Sequence, residues 1–72
     1  MNDSVQALLT AAVQQLASSS DTPRLDAEVL LAATLEQPRS ALYAWPERRV
    51  DAKQATRFTA WLHRRQRGEP LA

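Results

Sequence analysis

The stretch TPRLDAEVLLAATL, residues 22–35, decides the fold of this 72-residue chain. Thr22 is a suitable N-cap, and Pro23 occupies the first helical position, where its missing amide hydrogen has no helical partner in any case. Asp26 and Glu28 follow near the start, where the helix dipole favours anions. The stretch therefore predicts a helix that begins at residue 23.

The apolar residues of this helix wrap most of its circumference: Leu25, Val29, Leu30, Leu31 and Leu35. A helix that is apolar nearly all round belongs in the centre of a bundle. We expect it to end near Glu36, because Pro38 disfavours helical geometry at Gln37.

Two more helical segments precede and follow this helix. The first runs from Ser4 to Ala17, with Asp3 as its N-cap and Gln6 completing a capping box. A short segment, residues 39–45, comes after the central helix and ends before a proline. Its bulky side chains, Leu42, Tyr43 and Trp45, are predicted to be packing groups.

The last helix has the clearest start signal. Asp51 is its N-cap, Gln54 completes the capping box, and Val50 is placed to form a hydrophobic staple. The helix should run to about Arg67, where Gly68 supplies a left-handed residue. Its apolar stripe consists of Ala55, Phe58, Trp61 and Leu62.

No alternating apolar run or two-residue hairpin signal is present. The fold class that follows is all-α, a small antiparallel bundle of four to five short helices occupying residues 1–67. There is no cysteine, and the longest apolar run, Val29 to Ala33, is far below the ~20 residues that span a bilayer. Because the N-terminus also lacks a basic signal-peptide start, we expect a cytoplasmic protein.

Charge is unevenly distributed along the chain. Residues 1–47 hold two arginines against six acidic residues, a net −4, and residues 48–72 hold seven basic against two acidic residues, a net +5. This asymmetry fits an anionic partner for the basic part, and it fits equally two parts that face each other in the fold.

Complete catalytic chemistry is not visible in these residues. Gly68 is the only glycine, which excludes a glycine-rich phosphate or cofactor loop, and His63 is the only histidine. Asp26 and Glu28, two positions apart, point to different helix faces and cannot act as a carboxylate pair. We therefore expect no catalytic, cofactor-binding or metal-binding residue.

Binding remains as a route to function. Arg57, Arg64 and Arg67 form a basic stripe that suits RNA, DNA or an acidic protein, although a solvated helix face explains it more simply. Arg65 falls inside the apolar stripe, so we expect its head group to reach Asp26 or Glu28. The aromatic residues are expected in the core rather than stacking on bases: Tyr43, Trp45, Phe58 and Trp61.

Two motifs resemble one known family. PRLDAEVLL, residues 23–31, is similar to the PRxDAExLL signature in the N-terminal domain of the HemK/PrmC family. RRQRGEPLA, residues 64–72, is similar to that family's RRxxGEPxA, where the domain meets the catalytic part. The order and spacing of both motifs match, and the resemblance covers essentially the whole chain.

The resemblance implies a parent enzyme that uses S-adenosylmethionine to methylate the glutamine of the GGQ motif in class I peptide chain release factors. Its catalytic domain carries a glycine-rich loop and an NPPY motif, and neither occurs here. The chain is thus expected to be a substrate-recognition domain, with residues 68–72 starting the linker to a catalytic domain, and not itself an enzyme.

Implied partners are a class I release factor and the catalytic domain of the same protein, with no membrane and with nucleic acid disfavoured. The residues proposed to contact these partners are Arg24, Asp26, Arg57, Arg64, Arg65, Arg67 and Glu69. Two alternatives stay open, namely a small nucleic-acid-binding domain that uses the last helix and a stand-alone helical adaptor.

Overall fold

A computed structural model describes residues 4–68 as four helices with short connections. The helices are α1 (Val5–Leu16), α2 (Pro23–Leu35), α3 (Arg39–Ala44) and α4 (Ala52–Gln66). Within these residues the extended pairing is limited to an isolated antiparallel bridge between Ser4 and Arg49. The predicted all-α bundle is confirmed. Asp3, the predicted N-cap of the first helix, and Glu69, a predicted contact residue, lie outside the described residues.

Helix α1 starts one residue later than predicted, and its N-cap is Ser4 rather than Asp3. The Ser4 hydroxyl accepts a hydrogen bond from the Ala7 amide at 3.1 Å. The first two amides of α1 donate to carbonyls of the connector before α4. Val5 donates to Arg48 and Gln6 donates to Pro46, both at 2.9 Å. Acceptors from elsewhere in the chain thus satisfy amides that a helix start leaves without partners, which moves the start to Val5.

Helix α2 begins at Pro23 as predicted, although the Thr22 hydroxyl makes no capping hydrogen bond. Its end is a Schellman motif, in which the amide of Gln37 donates to Ala32 at 3.0 Å and that of Glu36 donates to Ala33 at 3.2 Å. This motif places Glu36 in the left-handed region at φ 57°. Backbone geometry at residue 36, in addition to Pro38, therefore ends the helix.

Helix α2 packs against each of the other three helices. The core consists of Val5, Leu9, Ala12, Leu16, Ala27, Leu30, Leu31, Ala32, Leu35, Leu42, Val50, Phe58 and Leu62. The predicted central position of α2 is confirmed, but the helix is not buried on every side, because Leu25 and Val29 are 41% and 37% exposed. Three neighbouring helices in a bundle of this size leave one side of α2 uncovered.

Helix α3 has only six residues, so it can bury little more than one face. Leu42 occupies that face and is buried. The prediction that Tyr43 and Trp45 are packing groups is wrong, because they are 57% and 63% exposed. Both aromatic side chains lie on the surface beside the connector to α4.

Helix α4 follows the prediction closely. The Asp51 carboxylate accepts a hydrogen bond from the Lys53 amide at 2.8 Å, and Val50 is buried. Phe58 and Leu62 are buried, while Ala55 and Trp61 pack against the core from its edge. The helix ends at Gln66, and Gly68, two residues later, has the expected positive φ of 88°.

Candidate docking surface

A buried carboxylate on α2 ties helix α3 to the bundle. The Glu28 side chain is only 2% exposed and lies at the centre of three hydrogen bonds. Its Oε2 accepts from Nε of Arg24 at 2.8 Å, while its Oε1 accepts from Nη2 of Arg39 at 3.2 Å and from the hydroxyl of Tyr43 at 2.5 Å. Arg24 is one turn before Glu28 on α2, whereas Arg39 and Tyr43 belong to α3. Glu28 therefore fixes α3 against α2 and orients three surface side chains.

The charged form of Glu28 is favoured in the folded protein. Burial by itself raises the pKa of this carboxyl, but the hydrogen bonds from Tyr43, Arg24 and Arg39 together outweigh burial and hold the pKa below its ordinary value. The pKa of Arg39 is raised, chiefly by hydrogen bonding with Tyr43 and with Glu28, against partial desolvation. At neutral pH the cluster thus contains a carboxylate and two guanidinium groups.

The backbone that follows Tyr43 is held by hydrogen bonds. The amide of Trp45 donates to the carbonyl of Ala41 at 3.2 Å, and the amide of Arg48 donates to that of Trp45 at 3.1 Å. The carbonyls of Pro46 and Arg48 also accept the first amides of α1, as described above. The exposed indole of Trp45 consequently stands on a connector that is joined to two helices.

These side chains form a continuous surface, which we call the aromatic face. One shallow depression is lined by Arg24, Tyr43 and Pro46 among others. A second depression, which shares Pro46, is lined by Trp45 and Arg48. With Arg39, which reaches Glu28 beside Tyr43, the aromatic face consists of Arg24, Arg39, Tyr43, Trp45, Pro46 and Arg48.

A second polar cluster lies between α2 and α4. Arg65 donates through Nη2 to Oδ2 of Asp26 at 3.2 Å, and the hydroxyl of Ser20 donates to the same oxygen at 2.5 Å. The side chains of Asp26 and Arg65 are 13% and 24% exposed. The predicted partner of Arg65 is thus confirmed as Asp26. This ion pair joins the acidic first part of the chain to the basic second part.

The remaining predicted contact residues lie on α4. The side chains of Arg57, Arg64 and Arg67 are exposed, and the guanidinium carbon of Arg64 lies 5.2 Å from the centre of the Trp61 ring. Arg64 and Arg67 border a shallow groove of about 810 Å³ between α4 and Leu8 of α1. Of the predicted contact residues within the range 4–68, only Arg24 therefore belongs to the aromatic face.

Sequence reasoning missed Arg39, Tyr43, Trp45 and Arg48 as candidate contact residues. A usable signal was present, since two aromatic residues close a helical segment too short to bury both of them. In the described part of the chain, no group of three or more histidine, cysteine or acidic side chains is placed to hold a metal ion. None of the helices among residues 4–68 is long and apolar enough to cross a membrane.

Comparison with known proteins gives one consistent result. The family model of the PrmC N-terminal domain matches residues 7–72. The release factor glutamine methyltransferase of Aliivibrio fischeri is 45% identical over 73 aligned residues, which cover 100% of this chain and 26% of that protein. The protein of the same name from Vibrio cholerae is 42% identical over the same coverage. That of Pseudomonas aeruginosa is 51% identical over 53 residues, or 74% of this chain and 19% of that protein.

The chain thus spans about a quarter of the length of these relatives. No solved structure matches it.

Proposed function

The chain belongs to the PrmC N-terminal domain family, and from this premise we propose that it is the substrate-docking domain of a release factor glutamine methyltransferase. The substrate is a class I peptide chain release factor, and the modified group is the glutamine of its GGQ motif. The domain binds the release factor at a distance from the reacting atoms. Binding energy gained there can position the glutamine for methyl transfer.

The methyl donor, S-adenosylmethionine, would be held by the catalytic part and not by these residues. A cofactor loop that approaches its ligand closely requires several glycines, and this sequence has one, Gly68. Gly68 follows α4, and a Cβ added there would meet no heavy atom within 4 Å beyond its chain neighbours. The contribution of this chain is therefore binding and orientation, in the cytoplasm, where release factors act.

One observation carries the docking proposal. The bundle holds two exposed aromatic side chains, Tyr43 and Trp45, on a backbone fixed by Glu28 and by the amides of α1. Exposed aromatic residues on a rigid scaffold bind partners at a low cost in conformational entropy.

The test compares two substrates of the full-length methyltransferase, with and without residues 1–67. We expect deletion to raise KM for an intact release factor about tenfold or more, while kcat/KM for a short peptide containing GGQ stays unchanged. Equal losses with both substrates would mean that deletion damages the catalytic part. Unchanged KM for the intact release factor would contradict a docking role.

Nucleic-acid binding is a second candidate function, and the exposed basic face of α4 favours it. Among residues 4–68, neither Arg57 nor Arg67 has an ion-pair partner. Such a face predicts retention on RNA or DNA at low salt that weakens steeply as salt is added, because phosphate contacts release counterions. Absence of retention at low salt would exclude it. A stand-alone adaptor, the third possibility, predicts no effect of deletion on methylation.

A further inference from the structure

We propose that the aromatic face is the surface on which this domain docks its protein partner, and that it takes a segment carrying carboxylates beside an apolar side chain. The inference rests on the proposed docking function and deepens it. It assigns the contact to the α3 side of the bundle, away from the basic stripe of α4.

The exposed apolar side chains single out this face. Four large hydrophobic residues are exposed among those described, and only Tyr43 and Trp45 are more than half exposed. Tyrosine and tryptophan are the residue types most enriched among those that dominate protein–protein binding energy. Leu25 and Val29, the other two, lie on α2, outside the aromatic face.

The aromatic face is also preorganised. Tyr43 is held by a carboxylate that is itself 2% exposed, and the connector beyond Trp45 is joined to α1 through the carbonyls of Pro46 and Arg48. Little backbone freedom remains to be lost when a partner binds. A fixed surface of this kind favours affinity, because ordering costs are met on folding rather than on binding.

Charge determines the chemistry of the partner. The aromatic face contains three arginines, Arg24, Arg39 and Arg48. Glu28 neutralises one positive charge beneath the first two, and Arg48 has no ion-pair partner among the described residues. Glu47 also lines the depression beside Trp45 and Arg48, so three arginines stand against two carboxylates and the face keeps a net charge of +1 around an aromatic centre. Guanidinium groups bind carboxylates in bidentate geometry, so a segment with aspartate or glutamate next to an apolar residue fits.

The rival face on α4 lacks an apolar anchor. Its aromatic residue, Trp61, packs against the core, and Arg64 lies over its ring. The other residues that line its groove are small or polar, apart from the half-buried Leu8. The groove has apolar surface from alanine and threonine methyl groups, but none of its residues is an exposed large apolar side chain of the kind that dominates binding energy.

The experiment measures KM and kcat for an intact release factor in the full-length methyltransferase. We expect W45A and R48E each to raise KM about tenfold, with kcat unchanged. Two matched controls lie outside the face, L25A for the loss of an exposed apolar side chain and R57E for an exposed charge reversal. Both controls should leave KM within about twofold of the parent protein. Circular dichroism of each variant confirms that the fold is retained.

Each alternative outcome has one meaning. If W45A and R48E leave KM unchanged while deletion of residues 1–67 raises it, docking occurs elsewhere and the aromatic face is wrong. If deletion also leaves KM unchanged, the docking function itself fails. A rise for W45A without one for R48E would overturn the acidic character of the partner. A rise for R57E alone would place docking on α4.

Discussion

Replacing Glu28 by glutamine measures how much the buried carboxylate contributes to the fold. The glutamine keeps the size of the side chain and removes its charge. The amide oxygen can still accept from Arg39 and Tyr43, but without the charge assistance that roughly doubles the strength of such bonds. The amide nitrogen in the place of Oε2 is a donor and cannot accept from Nε of Arg24, so that hydrogen bond is lost. The variant therefore weakens the attachment of α3 to α2 without creating a cavity.

The expected loss in free energy of unfolding is about 2 kcal/mol. The side chain of Arg24 is 60% exposed, so solvent screening limits the charge contribution of its ion pair with Glu28 to about 0.5 kcal/mol, and loss of the hydrogen bond itself costs about 0.5 kcal/mol more. Loss of charge assistance in the bond from Tyr43 adds about 1 kcal/mol. A domain of this size has a margin of roughly 3–5 kcal/mol, so Tm should fall by about 8–16 °C.

The loss should also depend on pH. Because the pKa of Glu28 in the folded state lies below its ordinary value of 4.5, the carboxylate stabilises the fold above that pH. Its contribution disappears as pH falls through the folded-state pKa. The difference in stability between the parent protein and E28Q should thus stay constant from about pH 7 to 5 and shrink below about 4.5.

Thermal unfolding followed by circular dichroism checks both expectations, with E47Q as the control at an exposed glutamate. An E28Q variant that unfolds at the parent temperature at pH 7 would refute the stabilising role of the cluster. A difference that widens below pH 4.5 would refute the direction of the pKa shift.

Two other predictions concern the helices themselves. E36G should raise Tm by about 2–4 °C. Glycine removes the cost of about 1 kcal/mol that a side chain bears in the left-handed region, and the added freedom of the unfolded chain offsets about 0.5 kcal/mol of that gain. A lower Tm would show that the Glu36 side chain stabilises the fold. F58A should abolish the cooperative thermal transition seen by circular dichroism. Emptying this fully buried site costs about 3–5 kcal/mol, which equals the whole free energy of unfolding expected for a domain of this size. The matched variant F58L should retain a transition. A cooperative F58A variant with a Tm near that of the parent protein would contradict the core described here.

The aromatic face shows where reasoning from sequence stops. Tyr43 and Trp45 have the composition of core residues, and the sequence places them in a helical segment, but exposure depends on how many faces of α3 meet another helix. Likewise, nothing in the sequence indicates that Glu28 has partners 11 and 15 residues away, Arg39 and Tyr43, in addition to Arg24 one turn before it. For Arg65, a charged residue placed within an apolar stripe predicted a long-range partner on α2, either Asp26 or Glu28, and the structure selects Asp26.

The sequence by itself determined the class of fold and most helix boundaries, because helix starts and ends depend on neighbouring residues. Pro23, Asp51 and Gly68 act within one turn of their own positions, so their effect can be read locally. Tertiary structure alone decided that Ser4 caps α1 beneath the connector, that Glu28 joins α2 to α3, and which side chains of α3 face the solvent. These outcomes depend on contacts between residues far apart in the chain, and only the packing of the helices brings those residues together.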